Sequence, residues 1–371
     1  MYFNVFLMFC YILQCYFYSN SYEYKSKKEL TMNKLTKIGV SALCGSLAAV
    51  SAANAGSMAV GGTATATYSK LSYGDTGNPL GMATWLTFVG SGELDNGSTV
   101  GVTIAYDDKA AYSTSNISLT TPGLGTFTYD EGAGTGLDRF DDILPTAWEE
   151  VDGTAVGAGL QTVSGAGGGS DIEWNVNTDM LPDGMNLYLS YSPKADGGAA
   201  ADKAGTGAVG GPVDGSGYDI AVSHSALADG LTVYAGMSSI SQGEGEASEG
   251  DRTQYMLGAK YAINNITLAY QHSLDNRRMG SGARTSYYEN NGYGVSFNVN
   301  DDLSLSYAMH KSTRGLNNNT SVDLEAQSIQ MAYSMGGASL KIAETEVDGA
   351  TYNSTTAGDR EGTTIALSLA F

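Results

Sequence analysis

The sequence predicts an all-β fold, a 16-stranded antiparallel transmembrane β-barrel, and three observations lead there. The first is composition: only 16% of residues are charged, against about 25% in an ordinary soluble domain, while 49 are Gly, 24 Tyr and 6 Pro. Mean hydropathy is −0.14, so the repeated runs of about 20 apolar residues that a helical membrane protein needs are missing from most of the chain. The second is a two-residue alternation in which one face is apolar and the other is Ser, Thr, Ala, Gly and Gln. The third is punctuation by Gly, Asn and Asp at intervals that suit strands of about ten residues. Such a wall meets lipid on one side and water on the other.

Residues 32–55 read as a secretory leader. Lys34 and Lys37 supply its positive start, 38–50 is a run of small and apolar residues, and Ala53-Asn54-Ala55 is an A-x-A cleavage site that makes Gly56 the mature N-terminus. Cys44 does not mark a lipoprotein, because Leu43 precedes it where a small residue is required. Upstream, residues 1–18 are uncharged and just long enough to span a membrane. They are either an anchor or, the preferred reading, part of a non-native extension over residues 1–31, with translation starting at Met32. An anchor ahead of a complete cleavable leader serves no purpose. All three cysteines, Cys10, Cys15 and Cys44, precede the cleavage site, so the mature chain is expected to carry no thiol. Five lysines (25, 27, 28, 34 and 37) against Glu23 and Glu29 go with the leader region, leaving the barrel at 56–371 more acidic than the −20 of the whole chain. That balance excludes a nucleic-acid footprint. It leaves two readings, solubility or a cation-favouring path.

Strands are expected near 58–70, 82–93, 98–107, 112–121, 126–130, 171–177, 185–192, 217–225, 231–240, 252–263, 266–273, 286–299, 303–311, 323–335, 338–346 and 362–371. The last is the clearest: Ile365, Leu367, Leu369 and Phe371 share one face, and Thr364, Ala366, Ser368 and Ala370 the other. Ten residues rising about 3.3 Å each and tilted near 45° give roughly 24 Å of height, the width of a lipid-facing band. Tight turns at 95–97, 122–125, 228–230, 264–265, 300–302 and 336–337 alternate with longer loops such as 194–216 and 241–251. All six prolines (79, 122, 145, 182, 193 and 212) fall in connections or at a strand end, as they must if they are not to break the ladder.

Taken together, the leader ending Ala53-Asn54-Ala55, a first strand at 58–68, a short fifth strand running into one long acidic connection, and a last strand ending in Phe371 make the chain resemble the general trimeric porins of Gram-negative bacteria, nearest those of alphaproteobacteria. The resemblance spans the mature chain by architecture more than by dense motifs. It implies an outer-membrane location, a homotrimer joined through the early strands and chain ends, contact with outer-membrane lipid and lipopolysaccharide, and reading of Phe371 by the barrel-assembly machinery. It also implies that the third outer loop, about 131–169 here, folds into the barrel and narrows the pore.

The candidate constriction residues are Asp138, Arg139, Asp141, Asp142, Glu149 and Glu150, within an acidic run that also holds Asp130, Glu131 and Asp152. Carboxylates in a narrow aqueous passage favour cations; the alternative is a solvated acidic surface loop. By alternation Lys260, His310 and Lys341 point inward and are candidates for the facing wall. The dense basic cluster of the family pattern is not evident, so the constriction is expected to be acidic rather than strongly polarised. Arg277, Arg278 and Arg284 lie in a loop.

No enzyme signature stands up. His224, His272 and His310 are far apart, and neither HExxH nor G-x-S-x-G occurs. His224-Ser225 is the sole local hint, beside a short turn. Gly205-x-Gly207-x-x-Gly210 lies in a Gly/Ala-rich loop without βαβ context. No cofactor is expected beyond possible Ca²⁺ in the acidic loops, for which no ligand set can be named. Tyr106, Tyr191, Tyr261, Tyr307 and Tyr333 recur near strand ends and suit interfacial girdles. Three functions compete: a passive diffusion pore for small hydrophilic solutes with mild cation preference, a solute-specific channel with a saturable site, and a non-conducting structural or adhesive barrel.

Overall fold

A computed structural model of the chain describes residues 56–73, 77–108, 111–130, 134–153, 155–166, 171–195, 214–242, 250–278 and 284–370. Residues 1–55, which hold the expected leader and Ala55, lie outside them, as do Glu131 and Phe371. Sixteen strands form: β1 (Ser57–Leu71), β2 (Leu80–Glu93), β3 (Thr99–Asp107), β4 (Ala111–Thr121), β5 (Gly125–Asp130), β6 (Asp171–Val176), β7 (Met185–Ser192), β8 (Asp214–His224), β9 (Leu231–Gln242), β10 (Arg252–Ile263), β11 (Ile266–Asn276), β12 (Thr285–Asn298), β13 (Leu303–Leu316), β14 (Ser321–Met335), β15 (Ala338–Asp348) and β16 (Arg360–Ala370). Each pairs antiparallel with the next, and β1 pairs with β16, closing the barrel. Closure leaves no strand edge unpaired, which is what a sheet surrounded by hydrocarbon requires.

Turn chemistry follows the expected punctuation. Gly97 between β2 and β3, and Gly336 between β14 and β15, take φ of 78° and 68°, a region that costs a side chain but not glycine. The described prolines all lie outside strands, Pro79 immediately before β2. The strands overrun the expected ends at one rim: β13 continues to Leu316, β11 to Asn276 and β15 to Asp348, while β14 begins at Ser321 and β16 at Arg360. Past the apolar band their outer positions turn polar (Lys311, Thr313, Asp323, Glu361), so alternation vanishes although backbone pairing continues.

Register places Tyr191, Tyr218, Ile220, Leu257, Leu268, Tyr270, Ile329 and Leu367 on one exposed face. On β8 the alternate positions, Asp219 and Ala221, are buried. Exposed aliphatics on every side of a closed barrel fit immersion in hydrocarbon. Ile220→Arg, near mid-height of β8, is expected to lower folding stability by about 2–4 kcal/mol, read by urea titration of refolding into vesicles. An unchanged midpoint would mean that this face does not meet lipid.

Candidate functional site

The connection between β5 and β6 is the longest described segment without strand structure, and its peptide groups need partners from elsewhere. Apart from a 3-10 turn at Gly136–Phe140 and a few bonds within the segment, side chains of the small, polar strand face supply many of them. The Thr135 hydroxyl donates to Asp171 at 2.8 Å and the Gly136 N–H to Glu173 at 2.7 Å. Asp219 accepts from the N–H groups of both Leu137 and Ala166 at 2.9 Å, tying the two ends of the segment to one carboxylate. Gln271 and Gln330 act as surrogate peptide groups. The Gln271 amide oxygen accepts from the Ile143 N–H at 2.8 Å and its nitrogen donates to the Asp141 carbonyl at 2.5 Å. Gln330 accepts from the Trp148 N–H at 2.9 Å and donates to the Glu149 carbonyl at 2.8 Å. Ser306 accepts from the Ala147 N–H, Gln254 from the Gly165 N–H, and Asn290 donates to the Gln161 carbonyl. At the barrel rim, Tyr73 and Arg360 donate to the Val156 carbonyl.

Between these bonds the segment packs apolar side chains on the strands in two clusters. Leu137, Phe140, Ile143 and Val163 meet Ala221 and Met256. Leu144, Val151, Val156 and Ala158 meet Ala308, Leu324, Ala326 and Val347, with Tyr288 and Tyr352. The strands make room with glycine. A Cβ on Gly236 would run into Leu137, one on Gly258 into Ile143, and one on Gly294 would lie 2.8 Å from Pro145 Cδ. These positions share the buried face, so the wall is cut to receive the segment.

The acidic residues divide into two groups. Some are structural: Asp142 accepts the Leu144 N–H at 2.6 Å, and its second oxygen lies 3.3 Å from Nε2 of the buried His310. Glu173 is bridged by Arg139 at 2.5 Å, and the Arg139 guanidinium stacks 3.7 Å from the centre of the Tyr188 ring. The others, Asp138, Asp141, Glu149 and Glu150, are only partly buried or exposed, and of these Asp138 accepts the Gly134 N–H and Asp141 the Asp142 N–H, each at 2.7 Å through one oxygen. Burial pushes the Asp141 carboxyl up to about 7, with repulsion from Glu150 and Asp138 adding to it. Glu149, Glu150, Asp138 and Asp152 are also raised, burial again the largest cause. Lys341 favours the charged form of Glu149 and sits 5.8 Å from the Trp148 ring. Lys260 interacts electrostatically with Asp142. The structure therefore brings the expected segment together with Lys260, His310 and Lys341 on one strand face.

One expectation needs correction. The basic residues on that face are not limited to two lysines and a histidine, because Arg252, Arg314 and Arg360 share it. Arg252 pairs with the buried Asp275 at 2.7 Å, and Arg277 joins the same carboxylate at 2.9 Å. Arg314 lies over the Tyr352 ring, and Arg360 over that of Tyr73. Arg314 and Arg360 sit where β13 and β16 run past the end of alternation, so sequence periodicity missed them. Asp219, Gln254, Gln271 and Gln330, the residues that seat the segment, were also unsignalled beyond being polar at inward positions. His224 and Ser225 are engaged in their turn, His224 accepting from the Ala226 N–H and the Ser225 hydroxyl donating to the Gly184 carbonyl. Among the described residues no group of three or more His, Cys, Asp or Glu side chains is placed to hold a metal ion.

Residues 39–338 match the family model described as Gram-negative porin. No curated protein matches the sequence. Among solved structures, OmpF of Salmonella typhi, in complex with daunomycin, is similar with a TM-score of 0.64 at 13% identity, covering 85% of this chain and 97% of its own. The trimer form of OmpT from Vibrio cholerae gives 0.61 at 11% identity, covering 85% and 99%. An anion-selective porin from Comamonas acidovorans gives 0.58 at 14% identity, covering 85% and 100%. At these identities the likeness is one of fold.

Proposed function

The chain belongs to the Gram-negative porins, channels of the outer membrane, and from that premise we propose that it is a passive pore for small hydrophilic solutes whose β5–β6 connection lies inside the barrel and favours cations. One observation carries this reading. The segment 134–166 bonds to the same face of β6, β8, β10, β11, β12, β13 and β14, and reaches Arg360 on β16. A segment outside a closed ring cannot touch so much of its circumference. The apolar side chains then face the wall, and the partly exposed carboxylates border the water that remains.

Ion preference follows from those charges rather than from the fold, which an anion-selective porin shares. The carboxylates to test are Glu149 and Glu150, because Asp142 is held by His310 and a backbone N–H. Glu149→Gln with Glu150→Gln is expected to lower the cation:anion permeability ratio in planar bilayers by about ten-fold for each charge near 6 Å from the ion path, since such a charge favours a cation and disfavours an anion about three-fold each. Reversal potentials identical to wild type would place these residues away from the path. A silent bilayer would sink the pore itself in favour of a structural barrel. A saturable sugar site finds little support: Tyr288 and Tyr352 are buried under the segment, and Trp85 is the one inward aromatic of the described β1 to β5 positions that is exposed, which makes no row of rings. Self-association as a homotrimer is part of the proposal, supported by the trimer form of the similar outer-membrane protein OmpT and tested by the mass of the unheated protein in mild detergent.

A further inference from the structure

We propose that this passage sorts solutes by net charge alone, because the carboxylate edge of segment 134–166 faces a wall of hydroxyls instead of a wall of base. The inference rests on that segment lying in the barrel. Its bonds and packing occupy the inner face from β6 to β15 and reach Arg360 on β16, so the open arc is β1 to β5. There the inward register is read from the strand pairs: Thr65 opposes Ala83, Thr87 opposes Ala105, Thr103 opposes Asn116, and Ser118 opposes Thr128. No Lys, Arg or His stands at an inward described position of these five strands. The charged ones, Glu93, Asp107 and Asp130, are all acidic and lie at strand ends.

The hydroxyls are organised. Thr65 bonds to Ser368 at 2.8 Å, Ser69 to Thr364 at 3.2 Å, Ser57 to Ser91 at 2.7 Å and Thr120 to Thr126 at 2.8 Å. Each hydroxyl keeps further capacity to donate or accept toward water or a polyol. The bases on the opposite side stand among their own acceptors: Arg139 pairs with Glu173, Arg252 and Arg277 share Asp275, Lys260 and Lys341 lie in the fields of Asp142 and Glu149, and Arg314 and Arg360 donate to the carbonyls of Tyr352 and Val156. A solute therefore crosses between negative charge and an uncharged wall of hydroxyls, among which Trp85 and Val89 of β2 also stand. Organic cations and neutral polyhydroxyl compounds are favoured and anions disfavoured. A zwitterion finds no positive wall to orient its carboxylate, so it crosses like a neutral molecule of its size.

The test uses the purified full-length channel in liposomes and planar bilayers. A zwitterionic amino acid and a neutral solute of equal size should swell liposomes at the same rate. A monoanion of that size should be about four-fold slower than the matching monocation, since one unit charge near 8 Å changes each ion's occupancy about two-fold in opposite senses. Ala83→Lys, at an exposed inward position, should reduce the cation:anion ratio about four-fold and set the zwitterion apart from the neutral solute. Thr103→Lys on β3 is the second variant should the first fail to insert. Equal anion and cation rates in the wild type, or an inserted Lys variant with an unchanged ratio, would overturn the inference. No conductance in any salt would overturn the underlying channel reading instead.

Discussion

Raising the pH from about 5 to about 9 is expected to increase the cation preference of the reconstituted channel close to ten-fold, with its steepest rise near pH 7. Asp141 is the reason. Burial against the strand face, with Glu150 and Asp138 nearby, pushes its carboxyl up to about 7. A raised acid is neutral below that value, so the charge that attracts cations appears only as pH rises through it. One carboxylate about 6 Å from the ion path is worth ~0.7 kcal/mol in water, about three-fold for a cation and the inverse for an anion. Burial raises Glu149, Glu150, Asp138 and Asp152 as well, and they broaden the rise. Asp141→Asn should remove the step near pH 7 while leaving the broader one. For stability the sign is opposite: the folded state binds the Asp141 proton more tightly than the unfolded chain does. That contribution is present at low pH and declines as pH rises from the ordinary aspartate range to about 7. Wild-type reversal potentials that stay flat between pH 5 and 9 would show that Asp141 does not sense the path.

Asp219→Ala should leave the barrel standing but unseat the segment within it, giving larger and noisier single-channel currents. The Asp219 carboxylate is 1% exposed and accepts from the N–H groups of Leu137 and Ala166. Removing it strands two buried donors, at about 1–3 kcal/mol each. The strand ladder does not depend on those bonds, so heat-resistant mobility of the folded barrel should persist while proteolysis within 134–166 becomes faster. Asp219→Asn, which can still accept, should fall between the two. Gly294→Val tests the same seat from the opposite side, because its Cβ would lie 2.8 Å from the Pro145 ring and 3.2 Å from Leu144 Cβ. Currents and protease resistance unchanged in both Asp219→Ala and Gly294→Val would mean that these contacts do not hold the segment.

Much of the barrel was legible in sequence because its signals are local. Ile365, Leu367 and Leu369 announce β16 by alternation, Asn264-Asn265 announces the turn between β10 and β11, and the prolines mark where the ladder is absent. Strand ends were less legible. Hydrophobic alternation reports where the wall meets an apolar medium, whereas pairing continues wherever a neighbour offers backbone partners; Arg314 and Arg360 lie in that difference. The glycines at 236, 258 and 294 read as composition until the apolar residues opposite them were known.

By itself the sequence determined a closed wall of sixteen strands and an acidic β5–β6 connection, since alternation, turn residues and charge are properties of short stretches of chain. Only the tertiary structure decided which carboxylates are spent on holding the connection and which border water. That choice depends on pairs such as Asp142 with His310, and Leu137 with Asp219, which stand 168 and 82 residues apart. Barrel closure brings them together, and no local pattern encodes a contact that exists only once the ring is shut.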